Sequence, residues 1–240
     1  MNTNSNVYTI VYASVMVVIV AFLLAFVSSA LKPTQDANVA IDKKQQILFS
    51  MNIRDIEKSQ VQDKYKEVVK KDVVYAESST EPSKSGDKQD EDGFTVPTKE
   101  LSSTCRPLYV CEVDGKTVYV VPVKGAGLWG GIWGYVSLEA DLETVRGAYF
   151  NHESETAGLG AEIKDNKKWQ AQFDGKKIFN GDNKSAIALS VVKKGKSVDG
   201  VGDNNKIDAV TGATLTSNGV NEMLHECLGN YIDIFDNLKK

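Results

Sequence analysis

The sequence predicts an α+β protein in which a single N-terminal transmembrane helix precedes a domain built on a mixed or antiparallel sheet and closed by a C-terminal amphipathic helix. Three observations predict it: a charge-free apolar run at the N-terminus, short strand-like runs around an Asp114-Gly115 turn, and a helical period near the C-terminus. Strand-like and helical runs do not alternate regularly, which argues against a doubly wound parallel sheet. With 240 residues, 42% hydrophobic and 25% charged, the chain suffices for one core plus appendages.

Residues 1–6 form a short tail. Val7 to Leu31 carries no charged side chain and is long enough to cross a bilayer core, so 7–31 reads as the transmembrane helix. Ser28-Ser29-Ala30 imitates a cleavage site, but a basic n-region is missing and the apolar run exceeds a usual signal-peptide core. Lys32, Lys43 and Lys44 follow the span, so a positive-inside count keeps the bulk of the chain in the cytoplasm. Long domains translocate largely regardless of that count, which leaves the side open.

Residues 32–76 read as a membrane-proximal helical segment, with Ile41, Leu48 and Met51 set among Lys and Gln and a more polar stretch through Lys66 and Lys70. Glu77 to Gly93 holds no aliphatic or aromatic residue, so 77–93 reads as an acidic, solvated linker. The main domain then spans 94–240. Leu108 to Val113 and Lys116 to Val123 flank Asp114-Gly115, a two-residue hairpin signal. Further strand-like runs occur at Tyr135 to Leu138, Val145 to Phe150 and Ala186 to Val192. Val220, Met223, Leu224, Cys227, Leu228, Tyr231, Phe235 and Leu238 repeat at helical spacing, which predicts one closing helix with Thr216, Ser217 or Asn218 as its N-cap.

The net charge of −4 and a pI near 5.4 leave no basic excess for a phosphate backbone, so nucleic acid is not an expected partner. Cys105, Cys111 and Cys227 lack CxxC spacing, and on one extended strand the first two would stand about 20 Å apart, far beyond disulfide reach. Gly125 to Gly130 spells GxGxxG, but a dinucleotide site needs a helix to begin inside it and here more glycines and a strand-like run follow. His152-Glu153 lacks a second His four residues on, and His225-Glu226-Cys227 sits at helix positions without metal-ligand spacing, so no metal site is expected.

The most informative string is Asp208-Ala209-Val210-Thr211-Gly212-Ala213-Thr214-Leu215-Thr216-Ser217. It offers hydroxyls, small residues that permit close backbone approach, and a helix start, which together suit a phosphate; a capped turn is the plainer reading of the same residues. Trp129, Trp133 and Tyr135 serve equally as core packing or as an apolar wall.

This string resembles the Asp-x-x-(Ser/Thr)-Gly-Ala-(Thr/Ser) motif of FMN-binding domains, in which a flavin transferase joins FMN to the final hydroxyl. The resemblance implies covalent FMN on Thr214, with Asp208, Thr211, Gly212 and Ala213 as the rest of the recognition sequence, Leu215 beside it, and Thr216 as the hydroxyl next in line. Gly127 to Tyr135 and His152 to Glu162 are similar to the glycine-aromatic loop and the H-x-E-T-x-G-L-G-x-E region of the C subunits of sodium-translocating NADH:quinone oxidoreductases, with Ala157 where that pattern often has Pro. Trp129, Leu159 and the backbone around Glu155-Thr156 are the expected wall and edge of the flavin ring. The resemblance further implies an electron-carrier subunit with no catalysis of its own, partnered by the other subunits of a membrane complex that reduces quinone and moves sodium, with its domain on the periplasmic side of a bacterial inner membrane. The G subunit of Rnf-type ferredoxin:NAD oxidoreductases shares the threonine motif, but Gly127-Leu128-Trp129 with Trp133-Gly134-Tyr135 favours the quinone-reductase family. A non-redox anchored binding module is the alternative of a different class.

Overall fold

A computed structural model describes residues 5–87 and 91–239. Part of the predicted tail (1–4) and part of the predicted linker (88–90) lie outside the described residues. In chain order the elements are α1 (Asn6–Ser50), α2 (Val61–Val68), β1 (Val69–Ala76), β2 (Pro82–Lys84), β3 (Cys105–Val113), β4 (Lys116–Ala126), β5 (Gly131–Glu139) and β6 (Val145–His152). Then come α3 (Glu162–Asp165), α4 (Lys167–Gln170), β7 (Ser190–Val192), β8 (Lys206–Asp208), α5 (Thr214–Gly229) and α6 (Ile232–Leu238). The chain divides into two compact units, Met1–Lys43 and Lys44–Lys240.

The first unit consists of the greater part of α1, whose apolar stretch is unburied and is long and apolar enough to cross a membrane. Pro33 lies inside this helix, where its missing N–H removes one ladder bond.

The second unit is organised by a six-stranded antiparallel sheet in the order β2-β1-β3-β4-β5-β6. The β3–β4 turn is the expected one: Asp114 and Gly115 both take positive φ, 53° and 73°, as a type I′ turn requires. Two expectations upstream are corrected. Val69–Ala76 is a strand, although 32–76 reads as helical, and the folded unit begins at Lys44 rather than near Phe94. β1 lies between β2 and β3 and buries Val69, Asp72, Val73, Val74 and Tyr75, so the two-residue alternation that marks a half-exposed strand never appears.

The polar stretch 77–93 likewise supplies the edge strand β2, with Val74 opposite Lys84 and Tyr75 opposite Pro82. The three β2 side chains stay in solvent while the backbone docks. A Cβ on Gly86 or Gly93 would lie 2.5 Å from the Asp72 carbonyl carbon or 2.7 Å from its oxygen. Hydropathy is blind to this kind of attachment, because backbone approach and polar contacts such as Ser83 Oγ to the Val74 carbonyl (2.9 Å) make it, and no apolar side chain does.

α5 packs on β4 through two glycines: a Cβ on Gly219 would lie 2.1 Å from the Ala126 carbonyl oxygen, and one on Gly125 would lie 2.8 Å from Met223 Cβ. Val220, Met223, Leu224 and Leu228 of α5 join Val121, Val123, Ile132, Phe150 and Phe173 in one core. The closing helix expected over 220–238 is interrupted between Gly229 and Ile232. Buried Arg106 draws the Asn230 carbonyl to its Nη1 (2.7 Å), binds both Asp233 carboxylate oxygens (2.9 and 3.0 Å), and from Nη2 holds the Ala76 and Ser79 carbonyls (2.5 and 2.8 Å). One guanidinium thus ties β1, the following turn and the α5–α6 junction. Arg106→Ala is expected to destabilise the domain by roughly 1–3 kcal/mol, because it removes five hydrogen bonds from a buried guanidinium to partly exposed partners, Asp233 among them; urea unfolding followed by far-ultraviolet circular dichroism measures it.

Of the seven expected strand residues Ala186 to Val192, only Ser190 to Val192 form one, pairing in parallel with β8. Cys105 and Cys111 share β3, and all three cysteines are free. Burial pushes the Cys111 thiol well above its ordinary pKa.

In the β5–β6 connection, partial burial pushes the Asp141 carboxyl up, but donors outweigh it: Thr144 Oγ1 (2.5 Å), the Thr144 and Glu143 N–H groups (2.8 and 2.9 Å) and Lys177 Nζ (3.2 Å). The net effect is a pKa well below the carboxylate range. A depressed folded pKa contributes stability that is present above the unfolded value and lost as pH falls through the folded one. Wild-type protein is therefore expected to lose more thermal stability than Asp141→Asn on acidification from about pH 5 to pH 2, as scanning calorimetry at each pH records.

Candidate functional site

The segment between β8 and α5 folds tightly. Trp169 Nε1 donates to the Asp208 carbonyl (2.7 Å), Ala209 N–H to Val192 O (2.8 Å), and Val210 N–H to Ser217 Oγ (3.0 Å). Gly212 has φ 79°, and a Cβ there would also meet Leu159 Cδ2 at 2.9 Å, so glycine answers both a left-handed backbone and a close neighbour. The helix starts earlier than the expected cap implies: Thr214 is its first residue and Ala213 its N-cap, with no side-chain capping bond. Thr216 and Ser217 are withdrawn from capping because tertiary partners hold them: Thr216 Oγ1 donates to Glu155 Oε2 (2.5 Å), and Ser217 Oγ takes the Val210 N–H. Asn218 is exposed within the helix. Of the nearby threonines, Thr211 and Thr214 are exposed and Thr216 is buried.

A second layer comes from the β4–β5 turn. Gly127 N–H donates to Gly130 O (2.8 Å), closing a tight turn that leads into β5 without a helix, which removes the GxGxxG reading. The segment after β6 holds this turn from three consecutive side chains. Glu153 Oε2 accepts from Gly131 N–H (3.2 Å), Ser154 Oγ donates to Trp129 O (2.8 Å), and Glu155 Oε1 accepts from Trp129 N–H (2.8 Å). Thr156 is exposed, and its carbonyl accepts from the N–H groups of Leu159 and Ala161 (3.1 Å each).

The structure therefore brings Trp129, Glu155, Leu159, Gly212 and Thr216 together around the entrance of α5. Large apolar side chains stand in solvent beside it: Trp129 is 65% exposed, Leu215 59%, Leu128 47% and Leu159 43%. Asp208 and Thr211 face elsewhere, lining a cleft of about 590 Å³ with Gly158, Glu162, Trp169 and Lys194. Thr214 lies on the rim of another, about 640 Å³, with Ser190, Val191, Asn218, Asn221 and His225. That polar stripe of α5 escaped sequence reading, although its 4, 7 and 11-residue offsets from Thr214 are helical spacing. His225 Nε2 lies 2.9 Å from Ser190 Oγ, and burial lowers its pKa against a smaller opposing effect from the Leu189 backbone. The Glu155 side chain, as opposed to its backbone, was also missed.

These residues fit a flavin nucleotide. An exposed hydroxyl opens a helix whose first N–H groups lack intrahelical acceptors, which suits a phosphate, and the uncovered Leu159, Leu215 and Trp129 suit a flat apolar ring. The FMN-binding domain family matches residues 127–229. The chain is 32% identical to the C subunit of the Na(+)-translocating NADH-quinone reductase of Pseudomonas aeruginosa, over 100% of this chain and 98% of that one. It is 31% identical to its counterpart from Haemophilus ducreyi, over 91% and 88%. Among solved structures, the counterpart from Parabacteroides distasonis superimposes with a TM-score of 0.76 at 37% identity, covering 85% of this chain and 96% of that one. NqrC of Shewanella oneidensis gives 0.67 at 26% identity, covering 84% and 99%. A match along the whole length, joined to an FMN-binding domain that spans both the glycine turn and α5, establishes that this chain belongs to the family of C subunits of the Na(+)-translocating NADH-quinone reductase, a translocase complex.

Proposed function

We propose that the chain relays electrons within the complex through FMN joined by its phosphate to Thr214. The observation that carries this reading is the contrast between Thr214 and Thr216: the first opens α5 with an exposed side chain, the second is buried and bonded to Glu155. FMN held there supplies a carrier of one or two electrons. The chain's own residues bind and orient it: the α5 N-terminus favours the phosphodiester charge, while Leu159, Leu215 and Trp129 offer apolar surface to the ring.

A threonine hydroxyl is a weak nucleophile without a base, and no described side chain accepts a hydrogen bond from Thr214. Attachment therefore falls to a flavin transferase, whose base takes the Thr214 proton as Oγ1 bonds to the flavin-side phosphorus of a flavin dinucleotide, breaking its phosphoanhydride bond and releasing the nucleoside monophosphate. Half-buried Asp208 and exposed Thr211, which line the neighbouring cleft, supply recognition contacts for that enzyme. α1 anchors the protein, and membership of the C-subunit family implies a domain on the periplasmic side; the flanking lysines do not oppose this, because a domain of this length translocates largely regardless of them. Intact-mass spectrometry of the chain produced with a flavin transferase tests the proposal. One FMN increment per chain is expected, with yellow colour that survives denaturation; bare polypeptide mass would refute it.

A further inference from the structure

Glu155 is 7% exposed, yet it ties three separate segments of the chain. Its Oε1 accepts from Trp129 N–H at 2.8 Å and its Oε2 from the Thr216 hydroxyl at 2.5 Å. Both oxygens are engaged in hydrogen bonds, one by a backbone N–H and one by a hydroxyl. Among the described residues no Lys, Arg or His forms an ion pair with it. Two glycines make room for it: a Cβ on Gly127 would lie 2.5 Å from Oε1, and one on Gly160 would lie 2.3 Å from Oε2 and 2.6 Å from Thr216 Oγ1. Glu153 and Ser154 bond the same turn but stay exposed, so of the three only Glu155 reaches α5.

The geometry points to Glu155 as the positioning residue of the redox site: one carboxylate locks the Trp129 turn to the helix that begins at Thr214, and its uncompensated charge lowers the midpoint potential of the flavin held there. The second half rests on the FMN reading above. Removing a buried charge's water strengthens its field, and a fixed negative charge beside a group that gains electrons opposes the gain.

Two substitutions separate the roles. Glu155→Gln keeps shape and both contacts, with its amide oxygen toward Trp129 N–H and its amide nitrogen donating to Thr216 Oγ1, but removes the charge. Glu155→Ala removes contacts and charge together. The expected results are normal flavin mass, preserved Trp129 amide protection and a more positive midpoint potential in the Gln variant. In the Ala variant, hydrogen exchange at the Trp129 amide should accelerate about tenfold, the equivalent of one net hydrogen bond. A wild-type potential in the Gln variant overturns the electrostatic role, and this decides the matter even where the Ala variant fails to fold. Unchanged Trp129 protection in a folded Ala variant overturns the lock. Exchange is also measured on chain made without the transferase, so the lock is decided independently of the flavin. A wild-type chain that takes no flavin would refute the FMN reading alone.

Discussion

Thr214→Ala should strip the protein of all bound FMN while its thermal unfolding midpoint stays nearly where it was. Thr214 is the first residue of α5, exposed and without a capping bond, so truncating it removes no contact that holds the fold. Surface substitutions of that kind stay within about 0.5 kcal/mol. Denaturing-gel fluorescence of chain produced with a transferase reads the flavin, and the assembled complex should lose quinone reduction with it. Thr216→Ala makes the opposite pattern: flavin retained, but stability lowered by about 1–3 kcal/mol, because Glu155 Oε2 then lacks its buried donor. Covalent flavin persisting in Thr214→Ala would relocate the attachment.

The other large effect reverses a familiar sign. Gly219 occupies the interior of α5, where alanine ordinarily gains about 1 kcal/mol over glycine. Here the added methyl would stand 2.1 Å from the Ala126 carbonyl oxygen, with Ile132 Cδ1 at 3.5 Å behind it. Neither obstacle swings aside easily: one is strand backbone, paired with Gly131 across the turn, and the other is core. α5 must lift from β4, at the upper end of the roughly 1–3 kcal/mol typical of overpacking. Gly219→Ala is therefore expected to lose about 2 kcal/mol net, which lowers the melting temperature by roughly 4–8 °C for a domain of this size. Gly229→Ala, with nothing within 4 Å of the added Cβ, is the control and should lose no stability. A Gly219→Ala protein as stable as wild type would show that this contact does not set the helix–sheet spacing.

What could be read from the sequence was what neighbouring residues decide among themselves. Asp114-Gly115 announces its turn because positive φ is a property of two adjacent residues. The string from Asp208 to Ser217 that carries the family resemblance is likewise contiguous. β1 and β2 were lost because their evidence is distant: Asp72 is buried where Phe94 N–H meets its Oδ2 (2.7 Å), and Gly86 docks by backbone alone. The start of α5 was misplaced for a related reason. Thr216 and Ser217 look like caps to anyone who sees only their neighbours, whereas Glu155, 61 residues away, decides where the Thr216 hydroxyl goes. Leu159 and Trp129 were named as an apolar wall on resemblance, and the structure leaves both in solvent beside the helix entrance.

The placement of Cys105 and Cys111 on one strand has a consequence for how this protein is made. A cross-link between them would require tearing β3 from both β1 and β4, so the sheet closes without any oxidant or disulfide isomerase. Folding of the domain is in that respect indifferent to which side of the membrane it occupies, and a reducing cytosol should yield the same fold as an oxidising export compartment.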